Sequence, residues 1–263
     1  MSDNYTIVTV ATEPKGKFND LVNNDFNTEV VVLGMGEKWT GFEMKNRLVS
    51  EFISDLEDDD VVIFVDGYDS EIKRNPSEAY RVFTSKNYKM LVSSDFSNSY
   101  GSFSKWMTKK MYGTPCRNSS FANSGMYMGK VKYLKEYFTR VSNNKCKDDQ
   151  YVLNTSCEEL DFIQVDEKEE IFQNFIPYLY SPVTEYNDKA VFVSYPAQYT
   201  FERYSRFYFE YAQFFLWEIL LGYLLLVVLF LMLAKSKNTR FISIFTLTLF
   251  LVILLANADY SCI

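Results

Sequence analysis

Short apolar runs alternate with helix-spaced apolar positions through the first two hundred residues, a rhythm that predicts an α/β domain. Residues 5–11 and 30–33 read as strands, with a polar stretch holding Pro14, Gly16 and a short helix between them. Gly34, Met35 and Gly36 form a flexible turn before Trp39, and Met44, Leu48, Phe52 and Leu56 then recur at helical spacing, predicting a helix over 42–56. The run 61–65 is apolar without alternation, as in a strand buried on both faces of a sheet that helices cover. Asn75 followed by Pro76 supplies a cap and a first-turn proline for a helix to about Ser85. Strands are expected over 90–93, 124–129, 162–165, 171–172 and 190–193, and helices over 131–141 and from Lys147. The stretch 94–118, rich in Ser, Asn, Gly and aromatic residues, reads as a long binding loop.

Beyond Tyr211 the pattern changes. Nearly every residue to Ala234 is apolar, Glu218 excepted, and such a helix is about 36 Å long, enough to cross a bilayer. A basic connector with Lys235, Lys237 and Arg240 leads into a second apolar run over about 241–257. Phe207, Tyr208, Phe209, Tyr211 and Trp217 cluster where an interface would lie. The chain is therefore expected to hold an α/β domain over 1–205 and a C-terminal transmembrane helical hairpin over 206–263. The positive-inside rule places the connector in the cytosol and the domain on the opposite side. The N-terminal residues show no signal segment, which argues the other way, and the expectation is a cytosol-facing domain on a C-terminal, multi-pass anchor. A shallow hairpin that never fully crosses would satisfy both facts.

Composition narrows the chemistry. Net charge is −7 with 34 acidic and 27 basic residues, and no basic stripe marks a nucleic-acid partner. Histidine is absent and the four cysteines lack CxxC spacing, which excludes zinc sites and histidine-based nucleophilic triads. The cysteines are expected to be unpaired, with Cys116 to Cys146 or Cys157 left open.

The strongest local signal is the exit of the central strand, where Asp66, Gly67, Tyr68 and Asp69 follow the run 61–65. The carboxyl ends of such strands are where α/β sheets bind ligands. Two carboxylates three residues apart on one turn can share a hard divalent cation with substrate phosphates. The plainer alternative is that both acids cap the turn, since Asp and Gly are ordinary turn residues.

Four blocks, VTVAT (8–12), LGMGEKWTG (33–41), VVIFVDGYD (61–69) and FANSGMYMG (121–129), occur in the order found in one family. Asp148, Asp149 and Gln150, then Ile171, Phe172 and Gln173, continue the series. The chain thus resembles the glycosyltransferase domain of procollagen lysyl hydroxylases and, more distantly, the collagen galactosyltransferases. The resemblance implies a GT-A fold, a Rossmann-like nucleotide-diphospho-sugar transferase domain, using a UDP-sugar with manganese or another divalent cation. It implies that Asp66 and Asp69 hold the metal and that Ala11 and Thr12 line the uridine pocket with Tyr68 stacked on the base. Lys45 would neutralise diphosphate charge, Asn123 and Ser124 would face the donor sugar, and Asp148 and Asp149 would serve catalysis at the anomeric carbon.

One position departs from the pattern: where the family carries a metal-binding histidine after a late strand, this chain has Ser194. No two-histidine, one-carboxylate iron site is available, so hydroxylation is excluded. The expected function is a membrane-anchored transfer of glucose or galactose from UDP to a protein or lipid hydroxyl. The alternative is a catalytically silent GT-A module serving as a scaffold at a membrane.

Overall fold

Every residue of the central run Val61–Val65 is buried, and the reason is two-sided cover. The computed structural model describes residues 4–95, 102–116, 120–175, 187–196, 212–233, 236–258 and 261–262. In it the run forms strand β3 of a six-stranded sheet with β1 (Tyr5–Val10), β2 (Val30–Leu33), β5 (Met90–Ser94), β6 (Ala122–Lys130) and β7 (Ile163–Asp166). The order is β2-β1-β3-β6-β5-β7, and only β6 runs against its neighbours. Ile63 stands between Ile7 of β1 and Met128 of β6.

Val62 and Phe64 join Val8, Met90 and Val92 in one core, covered by Leu48 of α2 (Phe42–Ile53), Leu134 and Phe138 of α5 (Val131–Ser142) and Leu153 of α6 (Asp149–Ser156). Val61, Ile63 and Val65 belong to the opposite core, with Leu21 of α1 (Phe18–Val22) and Ala79 and Phe83 of α3 (Pro76–Ser85). A second sheet of β4 (Ser70–Ile72), β9 (Phe192–Ser194) and β8 (Phe172–Asn174), in that order, completes this layer. Because helices or a sheet cover both faces, β3 has no polar face, and each fully buried large side chain contributes about 1.5–3 kcal/mol. The expected α/β domain is present, built on a mixed sheet in which β6 alone is antiparallel.

Local chemistry sets the ends of the elements. Asn75 caps α3 by accepting from the Ser77 amide at 3.0 Å, with Pro76 in the first turn. Asp148 caps α6 in the same way, accepting from the Tyr151 amide at 2.8 Å, so this helix begins at Asp149 rather than Lys147. The helix expected over 42–56 stops at Ile53, and Leu56 follows in a turn while still packing on the core. Two elements were not foreseen. The three residues of β4 are too few to show alternation, and the supposed loop 94–118 contains helix α4 (Ser102–Tyr112), whose polar composition hid it.

The expectation of unpaired cysteines is corrected, since none of the four is free. Cys116 and Cys157 form a disulfide with a Cα separation of 5.2 Å, tying the segment after α4 to the C-cap of α6. Sequence spacing carries no information on this pairing, because the fold brings together residues 41 apart. Replacing both by Ala is expected to lower stability by about 2–4 kcal/mol, read as a shift in the urea midpoint of the full-length chain.

Residues 199–263 form a separate unit. A 3₁₀ turn (Ala212–Phe215) leads into α7 (Leu216–Leu233), and α8 (Lys237–Asn257) follows with Ser236 as N-cap. The Tyr223 and Thr248 hydroxyls meet at 2.7 Å between the two helices. Ala212–Leu233 and Asn238–Ala256 are each long and apolar enough to cross a membrane. Their large side chains, among them Trp217, Leu225, Met232, Phe241 and Phe250, are exposed rather than packed. Phe207, Tyr208, Phe209 and Tyr211 lie outside the described residues.

Candidate active site

Where β3 ends, the chain crosses directly over the end of β1. A Cβ on Gly67 would stand 2.8 Å from Thr9 Oγ1 and 3.1 Å from the Val10 carbonyl, so only glycine allows this approach. The Asp66 amide donates to the Gly125 carbonyl at 2.8 Å, which fixes the start of the turn to β6. Its far end is tied to β9: the Tyr195 amide donates to the Asp69 carbonyl at 2.8 Å, and the Ser194 hydroxyl donates to Asp69 Oδ1 at 3.2 Å. Asp66 and Asp69 lie close enough that each carboxylate feels the other's charge.

Lys45 rises from α2 beneath this turn and is 4% exposed. Its ammonium pairs with Asp149 and stands 3.5 Å from Asp66 Oδ1 and 3.4 Å from the Ser124 carbonyl. Burial alone would depress the lysine, but Asp149 and then Asp66 outweigh it and hold the ammonium above its usual range. Desolvation raises Asp66 to about 7 against the pull of Lys45, and Asp69 and Asp149 add to the rise. Lys45 therefore lies inside the domain, locked between two acids.

Lys45 is shared between Asp66 and Asp149, so one ammonium answers two carboxylates. A divalent cation suits the charge left over together with the neighbouring Asp69 carboxylate. Gly125 leaves room on the β6 side, since a Cβ there would come within 2.8 Å of Asp66 Oδ2 and 2.9 Å of Asn123 Oδ1. Gly125→Ala is accordingly expected to displace Asp66 and weaken manganese binding about tenfold, checked by manganese electron paramagnetic resonance. Among the described residues no three of His, Cys, Asp and Glu are grouped to hold a metal. Two carboxylates suit a cation that takes its other ligands from water and phosphate.

The remaining expected residues fall into two groups. Thr12 and Tyr68 meet at the end of β1: the Thr12 amide donates to the Tyr68 hydroxyl at 2.8 Å, and the two hydroxyls are 3.2 Å apart. Ala11, beside them, is buried, and the Lys15 ammonium lies 4.8 Å over the Tyr68 ring. Across the turn, Asn123 and Ser124 start β6 next to the beginning of α6. Asp149 joins Lys45, whereas Asp148 is engaged as the helix cap.

Sequence reasoning missed Asp95 as a site residue and left Gln150 without a role. Gln150 Nε2 donates to Asp95 Oδ2 at 2.7 Å, and Asn123 Nδ2 donates to Gln150 Oε1 at 3.2 Å. The available signal was position, since Asp95 directly follows β5 as Asp66 follows β3.

An α/β sheet with acids at the exit of its central strand is in keeping with a glycosyltransferase-type domain. A family model described as the PLOD GT domain matches residues 1–199, and the chain belongs to that family. Human procollagen-lysine,2-oxoglutarate 5-dioxygenase 2 is 27% identical over 164 residues, covering 57% of this chain and 21% of that protein. Human multifunctional procollagen lysine hydroxylase and glycosyltransferase LH3 is 26% identical over 185 residues, covering 64% and 24%. The chain thus spans about a quarter or less of the curated relatives it matches. Among solved structures, an active-site mutant of LgtC is 11% identical with a TM-score of 0.44, covering 76% of this chain and 94% of that one.

Proposed function

We propose that the chain is a membrane-anchored, metal-dependent glycosyltransferase that moves glucose or galactose from UDP to a hydroxyl on a protein or lipid. The observation that carries this reading is the turn at the carboxyl end of β3 that bears Asp66 and Asp69, with Asp66 held by the buried Lys45–Asp149 pair. Asp66 and Asp69 would hold manganese or another divalent cation. When bound, that cation supplies charge neutralisation for a departing diphosphate. Lys45 holds Asp66 and Asp149 in place, so the site needs little reorganisation as charge develops. Tyr68, anchored by Thr12, offers a ring for the uracil base to stack on, with Ala11 at its side. Asn123 and Ser124 flank the donor sugar in this reading, and Asp149 and Asp148 serve the anomeric carbon, with Asp149 better suited because the helix cap occupies Asp148. The test is a panel of UDP-sugars with manganese and full-length protein in mild detergent: release of UDP from one hexose donor supports the reading, and no release or binding of any donor refutes it.

Ser194 favours a second reading, a silent GT-A-like scaffold. Its hydroxyl is spent on Asp69 and is a poorer ligand than imidazole. Ser194→His is expected to tighten manganese about tenfold, measured by paramagnetic resonance of free manganese. Wild-type protein that binds UDP with manganese and turns over no donor or acceptor would favour the scaffold.

Exposure of the apolar side chains of α7 and α8 supports anchoring in a membrane. The Cys116–Cys157 disulfide supports an oxidising compartment for the domain, against the cytosol-facing side expected above. Protease protection in sealed vesicles distinguishes the two sides.

A further inference from the structure

Asp95 is buried at the carboxyl end of β5, 2% exposed, and none of the roles assigned so far uses it. Its partner Gln150 follows Asp149 in α6, so this carboxylate adjoins the ion-paired site without belonging to it. An ionised carboxylate only accepts hydrogen bonds. Gln150 must therefore turn its NH₂ group toward Asp95, at 2.7 Å, and its carbonyl toward Asn123, whose NH₂ group donates to it at 3.2 Å. Asn123 Oδ1 is then left to accept from the Gly125 amide at 2.8 Å. The Gly125 carbonyl in turn receives the Asp66 amide. One acceptor-only group thus sets the direction of two side-chain amides and links them to the backbone that carries Asp66.

The donors and acceptors left over point to a ligand. Each amide commits one N–H in these bonds and keeps a second. Beside them, Asn174 at the end of β8 donates to the Ser94 carbonyl at 2.7 Å, while its Oδ1 is buried without a partner. Spare N–H groups together with a spare buried acceptor suit hydroxyls, which both donate and accept. A hexose ring presents several such groups, whereas uracil and diphosphate present none and the ribose, on the Tyr68 side of the turn in the reading above, presents two.

We infer that Asp95 is a positioning residue for the donor sugar: it fixes the amides of Gln150 and Asn123 so that their free N–H groups meet the hexose hydroxyls. This rests on the donor-site reading above and deepens it. Were Asn at this position, either orientation of the Gln150 amide would find a partner, and the fixed direction would be lost.

The test is isothermal titration of the full-length protein in detergent with manganese, comparing UDP with UDP-glucose and UDP-galactose. In the wild type the better UDP-hexose binds more tightly than UDP. In Asp95→Asn, UDP affinity stays within about twofold while that UDP-hexose weakens about tenfold, and Asp95→Glu, which keeps an acceptor-only end, recovers part of the loss. Asn123→Asp, which sets an acceptor against Gln150 Oε1, gives the same selective loss and serves if Asp95→Asn does not fold. Equal weakening of UDP and UDP-hexose, or no change in either, overturns the inference, as does a wild type to which the hexose adds nothing. A wild type that binds neither UDP nor UDP-hexose overturns the donor-site reading itself.

Discussion

Replacing Asp66 or Asp69 by Asn is expected to lower manganese-dependent release of UDP from the donor sugar about a thousandfold while leaving the fold intact. Asp66 is partly open, with 37% of its side-chain surface exposed, and its amide bond to Gly125 does not involve the carboxylate. The substitution removes charge without opening a cavity. Turnover assays paired with thermal melts check both halves: loss of turnover with an unchanged melting temperature is the expected pair. Because desolvation raises Asp66 to about 7, a cation must displace its proton there. Apparent manganese affinity should therefore fall about tenfold per pH unit below 7 and level off above it. The same raised pKa has the opposite effect on metal-free protein, in which the ionised acid is disfavoured on folding. Its contribution to stability is full below about 4 and declines as pH rises through 7.

The largest effect on stability is expected at Lys45. Lys45→Met leaves Asp149, 6% exposed, without its cation and beside Asp66, and breaking such a buried pair costs about 3–5 kcal/mol. Coulomb attraction offsets desolvation while the pair is whole, so removing one partner exposes the full penalty of the other. The double variant Lys45→Met with Asp149→Leu should recover much of that stability, since apolar replacement of a whole pair is often neutral. It should not recover turnover. Urea unfolding of the single and double variants measures the first effect, and donor hydrolysis the second.

How much the sequence disclosed followed from whether the signal was local. Val61–Val65 announced a covered strand because both faces had to be apolar, and Asn75 with Pro76 announced α3 because a cap and a fixed φ act within one turn. The acid turn was legible for the same reason: both carboxylates and the intervening glycine lie within four residues. What stayed hidden depended on distant partners. Nothing near Lys45 shows that α2 carries it under the turn to meet Asp149, and a helical lysine is ordinarily a surface residue. Cys116 and Cys157, 41 residues apart, meet only because α4 and α6 pack together. Asp148 and Asp149 were indistinguishable as neighbours, yet helix geometry makes one a cap and buries the other against Lys45. Asp95 escaped notice because its role lies in the direction of two amides that only the folded chain brings together.

The central claim is that Asp66 and Asp69 jointly grip a cation that carries a diphosphate. Titrating UDP into the full-length protein with manganese, and again with chelator, tests it directly. The account predicts that manganese tightens UDP at least about tenfold and that Asp66→Asn abolishes the gain. Equal UDP affinity in manganese and in chelator would contradict it.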